Sequence, residues 1–589
     1  MVRHGASALL RRLSLIAILA LVGATILSSS AIAAGGGKDH FRASATSGGG
    51  DSGAEGAEAA EQRDLQHFDE EAEANPVKGA AALFSQCRFA PFNGQLNLYP
   101  ALAANEHDVI IGDTLATFAD GTQCYNPQNE QNIVINPTNR NNIVTSSNDY
   151  RAGFGACWAY VTTDGGATWH DVVQPGWSNI TLAKGQFVKT GCGGDPVMAF
   201  GPDGSLYFAA LTYNLDKFPR EMSGVAVSKS TDGGLHWAPP VMVSYNATGN
   251  FFYDKEWLGV SSDGTINLTW TKFYQGPKGL GYLKSPIVIS QSKNGGKSWS
   301  SVKEVSDATH PFNQGSQVAT APDGTLYVTF EASDPATGYS TDIIALAKST
   351  DGGTTFSPTA KVARAFDDLD CYPIQLPGGQ GRQTLSGEQF RLPLNPSMAI
   401  DPTTGLIAIG WADNEGVGSC GTGGTTFTGG PTSNQVKVAT SWDGSAWSTQ
   451  RITSTAPDKL FASVGANAGV LSVAYYTRDY AQTPGDALCE ARLRDPADGT
   501  ITVLSTANVC LDWALKTSTD GGASWSSQIR ITSSSSNPYT LFAGSFIGDY
   551  EGTAIDDQGT TWTVWTDFRG NPGITSPAQD TLVGTIPAH

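Results

Sequence analysis

The charged residues of this chain are few, and many of them stand where an apolar hairpin begins or ends. Only 15% of its 589 residues are Asp, Glu, Lys or Arg. Carboxyl and guanidinium groups that meet in a concave opening can transfer protons or bind an ionic ligand, so such an opening is the default hypothesis for a functional site. The alternative is that these residues are solvated loop charges or salt bridges between neighbouring sheets. The charges ahead of hairpins are Asp195, Asp254, Glu256, Arg391, Asp549 and Glu551. Those at or beyond hairpin ends are Asp149, Arg151, Lys272, Glu331, Asp413, Arg478, Asp479, Asp567 and Arg569.

The hairpins that would position these charges recur seven times along the chain. They lie at 133–148, 196–213, 256–273, 316–331, 396–413, 461–479 and 546–567. After six of them come a third and a fourth strand joined by a recurring turn: Ser or Thr, then Asp (Asn294 once), then Gly-Gly or Gly-Ser, and then an aromatic residue. We call this segment the stapled turn, because the Asp can accept backbone hydrogen bonds while Gly supplies the positive φ and the aromatic ring packs beneath. The six copies end at Trp169, Trp237, Trp299, Phe356, Trp447 and Trp525.

Four antiparallel strands repeated along a chain of this length predict an all-β fold, the β-propeller. We favour seven four-stranded blades, with six blades and an irregular cap as the alternative. The last hairpin is followed only by a third strand within 580–587, so we expect its outer strand to come from the N-terminal segment at 109–114. Closing the ring with both chain ends would remove exposed sheet edges. In such a blade the stapled turns lie at the end opposite to the charges that flank the hairpins.

The stapled turns resemble the Asp-box, or bacterial neuraminidase repeat, of sialidase-like β-propellers, and the likeness covers most of the chain. In that family three arginines bind a carboxylated sugar, and a Tyr nucleophile works with a Glu and with an Asp as the acid/base. The segment 390–393, Phe-Arg-Leu-Pro, is similar to the motif of the family's first arginine. It follows four stapled turns here, whereas in sialidases the motif precedes the first one.

The resemblance implies candidate roles for individual residues of this chain. The three arginines would be Arg391, Arg478 and Arg569. The nucleophile would be Tyr550, with Tyr475 or Tyr476 as alternatives. Its partner would be Glu331 or Glu256, and the acid/base would be Asp413 or Asp254.

Two classes of function follow from this pattern. The first is an exported glycoside hydrolase that acts on terminal sugars, with an exo-α-sialidase as one candidate. The second is a non-catalytic propeller that binds glycan or protein for adhesion or surface assembly. In either class no cofactor is required, but carboxylates at Asp254, Glu256 and Asp549 could hold Ca²⁺, which prefers oxygen ligands.

The two ends and the composition of the chain predict its location, its domain bounds and its partners. Residues 1–33 have three arginines, an apolar run and a small-residue cleavage site, as a secretory signal peptide does. Residues 34–80 form a Gly/Ala/acid-rich leader that we predict to be disordered, and 81–589 form the propeller. We therefore expect an extracellular protein with disulfides among its eight cysteines, including Cys489 with Cys510. A net charge of −19 disfavours nucleic acid, no later stretch could insert in a membrane, and the oligomeric state stays open.

Overall fold

The computed structural model contains seven four-stranded antiparallel sheets arranged as the blades of a β-propeller. It describes residues 105–110, 128–149, 156–177, 179–181, 187–189, 191–214, 222–246, 248, 250–275, 282–366, 384–385, 388, 390–414, 432–480, 489–494, 501–505, 508–538, 546–569 and 579–588. The predicted signal peptide and leader lie outside these ranges. The only helical segment among them is a short 3₁₀ turn, Pro335–Thr337, and no helix there is long and apolar enough to cross a membrane.

The first three blades follow one another after a short N-terminal strand, β1 (Glu106–Asp108). Blade 1 contains β2 (Gln128–Asn136), β3 (Asn139–Asp149), β4 (Ala156–Thr162) and β5 (His170–Val173). A separate two-stranded ribbon follows, formed by β6 (Asn179–Thr181) and β7 (Phe187–Lys189). Blade 2 contains β8 (Gly191–Phe200), β9 (Leu206–Asn214), β10 (Met222–Ser230) and β11 (Val241–Tyr245). Blade 3 contains β12 (Phe251–Val260), β13 (Ile266–Gln275), β14 (Tyr282–Lys284), β15 (Ile287–Ser292) and β16 (Lys303–Glu304), with β14 as a short extra strand beside β13.

The remaining four blades repeat the same meander. Blade 4 contains β17 (Asn313–Thr320), β18 (Leu326–Ser333), β19 (Asp342–Ser349) and β20 (Ala360–Ala365). Blade 5 contains β21 (Ser397–Ile400), β22 (Ile407–Asp413), β23 (Gln435–Ser441) and β24 (Ser448–Arg451). Blade 6 contains β25 (Lys459–Asn467), β26 (Val470–Thr477), β29 (Asp512–Ser518) and β30 (Ile529–Arg530), and between β26 and β29 the chain forms a ribbon of β27 (Ala491–Arg494) and β28 (Ile501–Ser505). Blade 7 contains β31 (Gly552–Ile555), β32 (Thr561–Asp567), β33 (Asp580–Ile586) and the N-terminal β1.

The first strands of the blades form a closed inner ring. In the order β2, β8, β12, β17, β21, β25 and β31, each contacts the next, and β31 contacts β2. The ring confirms seven blades, and the predicted contribution of the N-terminus to the last blade is confirmed as well. The position of that contribution was wrong: the outer strand is Glu106–Asp108, ahead of the predicted 109–114, because Glu106 pairs with Gly584 and Asp108 with Leu582 of β33.

The hydrophobic core lies between adjacent blades, so the second strand of each blade is covered on both faces. All eight residues of β18 are buried, for example, and five of them are apolar or aromatic. Between blades 2 and 3, Val197 and Leu211 pack in one cluster with Leu268 and Trp270. This arrangement explains why the hairpins were visible in the sequence as apolar segments.

The stapled turns join the third and fourth strands and contain the expected hydrogen bonds. In blade 2 the Ser230 hydroxyl donates to Asp232 Oδ1 at 2.9 Å and accepts from the Gly234 N–H at 2.9 Å. Asp232 Oδ1 also accepts from the His236 N–H. A Cβ on Gly233, whose φ is 77°, would stand 2.5 Å from Asn142 Oδ1 of blade 1. The turn therefore requires glycine both for its conformation and for its contact with the neighbouring blade.

One disulfide that was expected from the sequence is present. Cys489 is bonded to Cys510, which ties the start of the β27–β28 ribbon to the residues just before β29. Cys192 is also in a disulfide.

Candidate active site

Five of the seven inner strands have an irregularity near their start at which one residue adopts a positive φ. A bulge re-aims a side chain out of the regular pleat, and a positive φ at a residue other than glycine is strained, which is typical of functional positions. The residues, with φ between 50° and 64°, are Glu130 in β2, Asp195 in β8, Lys255 in β12, Gly315 in β17 and Phe461 in β25.

Two of these residues, Glu130 and Asp195, meet Asp549 around the ammonium group of a third, Lys255. Lys255 Nζ lies 3.0 Å from Glu130 Oε1, 3.2 Å from Asp195 Oδ1 and 2.8 Å from Asp549 Oδ2. The lysine belongs to blade 3, whereas its partners come from blades 1, 2 and 7. A single side chain thus connects four blades. We call the surrounding group the axial cluster, which comprises Glu130, Asp195, Asp254, Lys255, Glu256, Arg391, Asp549 and Tyr550.

Arg391 enters the axial cluster from the segment that leads into blade 5. Its Nε donates to Asp549 Oδ1 at 2.8 Å, and its Nη2 donates to Asp549 Oδ2 at 2.6 Å. The guanidinium carbon also lies 4.8 Å from the centre of the Phe546 ring. This bidentate, stacked arrangement is specific to arginine and fixes the Asp549 carboxylate in one orientation.

Amide side chains orient the other carboxylates of the cluster. Asn148 donates to Glu130 Oε2 at 2.9 Å, and its own oxygen accepts from the Asp195 N–H at 3.1 Å. Gln314 donates to Asp254 Oδ2 at 2.8 Å. The carboxylates are therefore held in defined positions before any ligand binds.

Two members of the axial cluster have buried polar atoms without a hydrogen-bond partner in the described part of the chain. They are the hydroxyl of Tyr550 and both carboxyl oxygens of Glu256. The Tyr550 ring packs edge-on against Trp257, with 6.2 Å between ring centres, and lies 5.6 Å from Lys255 Nζ. Buried polar atoms nearly always have partners, so this combination indicates a place where a ligand or water can bond.

The environment moves the pKa values of two carboxyl groups in opposite directions. Burial raises the pKa of Asp254 to about 6, and the charges of Lys255 and Arg391 only partly oppose that rise. Asp549 is equally buried, but Arg391 and Lys255 bind it directly and lower its pKa to about 2. Burial also raises the pKa values of Glu256 and Tyr550, with Asp195 adding to both effects. The cluster therefore contains carboxyl groups that hold a proton to a higher pH than usual beside one that loses it at a lower pH.

The structure brings five of the nine predicted site residues into the axial cluster: Arg391, Tyr550, Asp254, Glu256 and Asp549. Two others, Asp413 and Glu331, lie elsewhere. Asp413 ends β22 and pairs with Lys437 at 2.8 Å. Glu331 lies on β18 opposite Gln314, and burial together with Asp342 raises its pKa.

Arg478 and Arg569 each pair with carboxylates outside the axial cluster. Arg478 contacts Glu388 at 2.6 Å and Asp458 at 2.8 Å. Arg569 contacts Asp567 at 2.8 Å and Glu106 at 3.1 Å. A joint pocket of these two arginines with Arg391 stays a prediction.

The alternative nucleophiles Tyr475 and Tyr476 also have partners of their own. Tyr475 donates to Gln528 at 2.8 Å. The hydroxyl of Tyr476 lies 2.7 Å from both Glu551 Oε1 and the Thr566 carbonyl oxygen. Glu551 therefore faces Tyr476 instead of its sequence neighbour Tyr550, as alternation along an extended chain requires.

The predicted calcium site also stays a prediction. Asp549 forms ion pairs with Arg391 and Lys255, and Asp254 accepts a hydrogen bond from Gln314. Among the described residues, no three His, Cys, Asp or Glu side chains are grouped so that they could hold a metal ion.

Sequence reasoning missed Glu130, Lys255 and Gln314. Lys255 stands between two residues that were predicted, Asp254 and Glu256, but a lysine was not sought in an acid-rich opening. The available signal was the position of polar runs within two inner strands: Asn-Glu-Gln-Asn at 129–132 and Asp-Lys-Glu at 254–256.

Comparisons with known proteins find only distant structural similarity. No family model matches the chain, and no curated protein matches it. Among solved structures it is similar to a Hadza microbial sialidase, with 14% identity, a TM-score of 0.35, and coverage of 76% of this chain and 73% of the other. It is also similar to a sialidase of Trypanosoma rangeli in complex with the inhibitor DANA, with 12% identity, a TM-score of 0.35, and coverage of 62% and 55%.

A third similar structure is the GH93 α-L-arabinofuranosidase of Fusarium graminearum in complex with arabinobiose. The identity is 14%, the TM-score is 0.34, and the match covers 59% of this chain and 88% of the other. Because identities and TM-scores this low carry no argument about chemistry, the class of the protein, a seven-bladed β-propeller, rests on its own sheets.

Proposed function

We propose that this protein is a glycoside hydrolase whose reacting groups lie in the axial cluster. The observation that carries the proposal is the pair of carboxyl groups with opposite pKa displacements, Asp254 at about 6 and Asp549 at about 2. Hydrolysis of a glycosidic bond by two carboxyl groups needs one that keeps its proton and one that stays ionised. The predicted signal peptide would direct this activity outside the cell.

In this mechanism Asp254 gives its proton to the leaving glycosidic oxygen as the glycosidic bond breaks, and a water molecule then adds to the anomeric carbon and returns a proton to Asp254. Asp549 stays ionised and opposes the positive charge that develops on the sugar ring. Lys255 and Arg391 hold Asp549 in place, and burial strengthens each of these interactions because little water screens them.

An exo-α-sialidase is the more specific form of the proposal. Tyr550 would then attack the anomeric carbon as the glycosidic bond breaks, and Glu256 would take the hydroxyl proton in its deprotonated form, which burial confines to a higher pH because it raises the pKa of this group. The absence of hydrogen-bond partners for these groups among the described residues supports this form, since both are available for new bonds. It also requires Arg391 to exchange Asp549 for the carboxylate of the substrate.

The second candidate is a non-catalytic propeller that binds glycan or protein. Burial favours it, since the exposed fraction of ionisable side chains in the cluster runs from 0% for Glu130 to 10% for Arg391. In this function the axial cluster would only join the blades.

The test is hydrolysis of a panel of fluorogenic glycosides of neutral and acidic sugars, including a sialoside, by the purified full chain. We expect release of fluorophore from at least one sugar, and a loss of at least about 100-fold in kcat for Asp254→Asn. Tyr550→Phe would abolish activity in the sialidase form and leave most of it in the two-carboxylate form.

Asp263→Asn is the matched control, because Asp263 is an exposed aspartate in the β12–β13 turn at the opposite end of the same hairpin. It should retain the wild-type rate. No release from any sugar, or equal rates for the Asp254 variant and wild type, would refute the hydrolase and leave the binding function.

A further inference from the structure

The charged end of blade 3 carries aromatic and lysine side chains in alternation. Lys272 Nζ lies 4.0 Å from the ring centre of Phe251 and 4.7 Å from that of Tyr274. Lys284 Nζ lies 4.7 Å from the same Tyr274 ring centre. We call these four residues the lysine–aromatic row.

Strand register explains why the row forms. Phe251 pairs with Tyr274 and Tyr253 pairs with Lys272 across β12 and β13, so these side chains share one face of the hairpin. Lys284 of β14 pairs directly with Tyr274. The row therefore belongs to regular strands, which position side chains more rigidly than loops do.

The row is locally positive in an acidic protein. The chain has 55 acidic and 36 basic residues. Within the described residues the ammonium group of Lys272 forms no ion pair or hydrogen bond, and it contacts the two rings. Cation–π contacts hold an ammonium group in place without neutralising it, so Lys272 stays available to an anion.

The ion pair that Lys284 forms is exposed and therefore weak. It pairs with Glu304 at 2.8 Å, but the two side chains are 40% and 49% exposed. Exposed pairs of this kind contribute little, so an anionic ligand can compete with Glu304 for the lysine.

The row lies on the hairpin that also supplies Asp254. Asp254 pairs with Thr271, the neighbour of Lys272, and Phe251 is three residues before Asp254 on β12. At roughly 3.4 Å per residue the two positions are about 10 Å apart along the strand. Asp254 alternates with Phe251 and Tyr253 along the strand, so its side chain lies on the other face of the hairpin, and the row is a separate site close to the axial cluster.

We propose that the lysine–aromatic row is a subsite for the anionic group of an acidic saccharide, a carboxylate or a sulfate. Lys272 and Lys284 bind the anion, while the edges of Phe251 and Tyr274 contact the apolar parts of the sugar ring. The saccharide part of this assignment rests on the proposed function. The anion part rests on the lysines alone.

The test is binding of three oligosaccharides of equal length to the purified full chain by titration calorimetry: oligogalacturonate, which carries carboxylates only, a sulfated galactan, which carries sulfates only, and a neutral galactan. We expect one acidic ligand to bind more tightly than the neutral one, and Lys272→Met to weaken it by about tenfold. Which acidic ligand is preferred identifies the anion. Methionine keeps the packing of the stem on Phe251 and Tyr274, and Glu304→Gln should tighten binding by releasing Lys284.

Lys297→Met is the matched control, since Lys297 is an exposed lysine in the stapled turn of the same blade. It should bind as wild type does. Equal binding by the Lys272 variant and wild type, equal affinity for acidic and neutral ligands, or no binding of any of them would overturn the subsite.

The subsite and the proposed hydrolase fail separately. Acidic ligands that bind through Lys272 without being hydrolysed would refute the hydrolase and support the subsite. Hydrolysis that depends on Asp254, combined with unchanged binding in the Lys272 variant, would refute only the subsite.

Discussion

At the level of single residues, charge balance decides how the axial cluster is built. Five carboxyl groups, Glu130, Asp195, Asp254, Glu256 and Asp549, surround two cations, Lys255 and Arg391. Burial raises the pKa values of Asp254 and Glu256, so these two groups keep a proton to higher pH and reduce the negative charge around the two cations. Buried charges are costly unless they are paired, so this displacement lowers the cost of grouping the carboxyl groups.

The pKa of Asp254 predicts an acidic activity profile. Its proton is available below a pH of about 6, so kcat/KM should fall tenfold for each pH unit above that value. The measurement is the pH dependence of hydrolysis by wild type and Asp263→Asn, which should coincide. An activity that rises through pH 6 to 8 would contradict the assignment of Asp254 as the acid. The groups that act on Asp254 are Lys255, Asp195, Arg391, Asp549 and Gln314.

The raised pKa of Asp254 can also be tested without a substrate, through the pH dependence of folding stability. The pKa of Asp254 is raised from 3.8 to about 6 on folding, so the folded state holds the proton more tightly. This contribution is fully present below pH 3.8 and is lost as the pH rises through about 6. Asp254→Asn should lack this pH-dependent component in urea unfolding experiments.

At the level of elements, the stapled turns connect blades as well as strands. In four of them a side chain of the preceding blade donates to a carbonyl oxygen of the turn. The pairs are Asn142 with Gly233, Gln291 with Gly352, Lys348 with Asp443, and Gln450 with Gly522. The repeat predicted the turns themselves, but it did not predict that they would reach the neighbouring blade.

Ser230→Ala should lower the free energy of unfolding by about 1–3 kcal/mol. The substitution leaves the buried N–H of Gly234 without its acceptor, and that group cannot reach water in the folded state. The measurement is the urea midpoint. Ser301→Ala, which removes an exposed hydroxyl, should change stability by less than about 0.5 kcal/mol. Equal effects of the two changes would show that the stapled turn contributes nothing specific.

At the level of the whole molecule, one strand from the N-terminal part of the chain completes the ring. β1 supplies the outer edge of blade 7, and Glu106 on it accepts from the Ser533 N–H at 2.8 Å and from Arg569 at 3.1 Å. Ser533 follows β30 of blade 6. The closing strand therefore joins blades 6 and 7. Blade 7 has no stapled turn, because its third and fourth strands come from opposite ends of the described chain.

Glu106→Ala should destabilise the propeller by about 2–4 kcal/mol, because it removes a buried carboxylate and with it an acceptor for a backbone N–H and for Arg569. Thermal or urea unfolding measures the effect. Glu304→Ala is the control, since it removes an exposed carboxylate and should cost less than about 1 kcal/mol. If both variants unfold alike, closure does not depend on the contacts of β1.

The sequence alone determined the kind of fold, favoured seven blades over six, and placed the candidate charges at the ends of the apolar hairpins. These properties follow from local patterns, since apolar strands and Asp-Gly turns act over a few residues and the repeat multiplies the signal. The pairing of Cys489 with Cys510, close in sequence, was predicted for the same reason.

Only the tertiary structure decided which charges meet. Arg391 and Asp549 are 158 positions apart and lie on different blades, yet they form a bidentate pair. Lys255 reaches three other blades only because a bulge with positive φ redirects it. Arg391 precedes a hairpin in the sequence, whereas Arg478 and Arg569 follow second strands, and ring closure gives each of them different carboxylate partners. Such pairings depend on where the ring places each strand end, and the residues around a given charge contain no information about that placement.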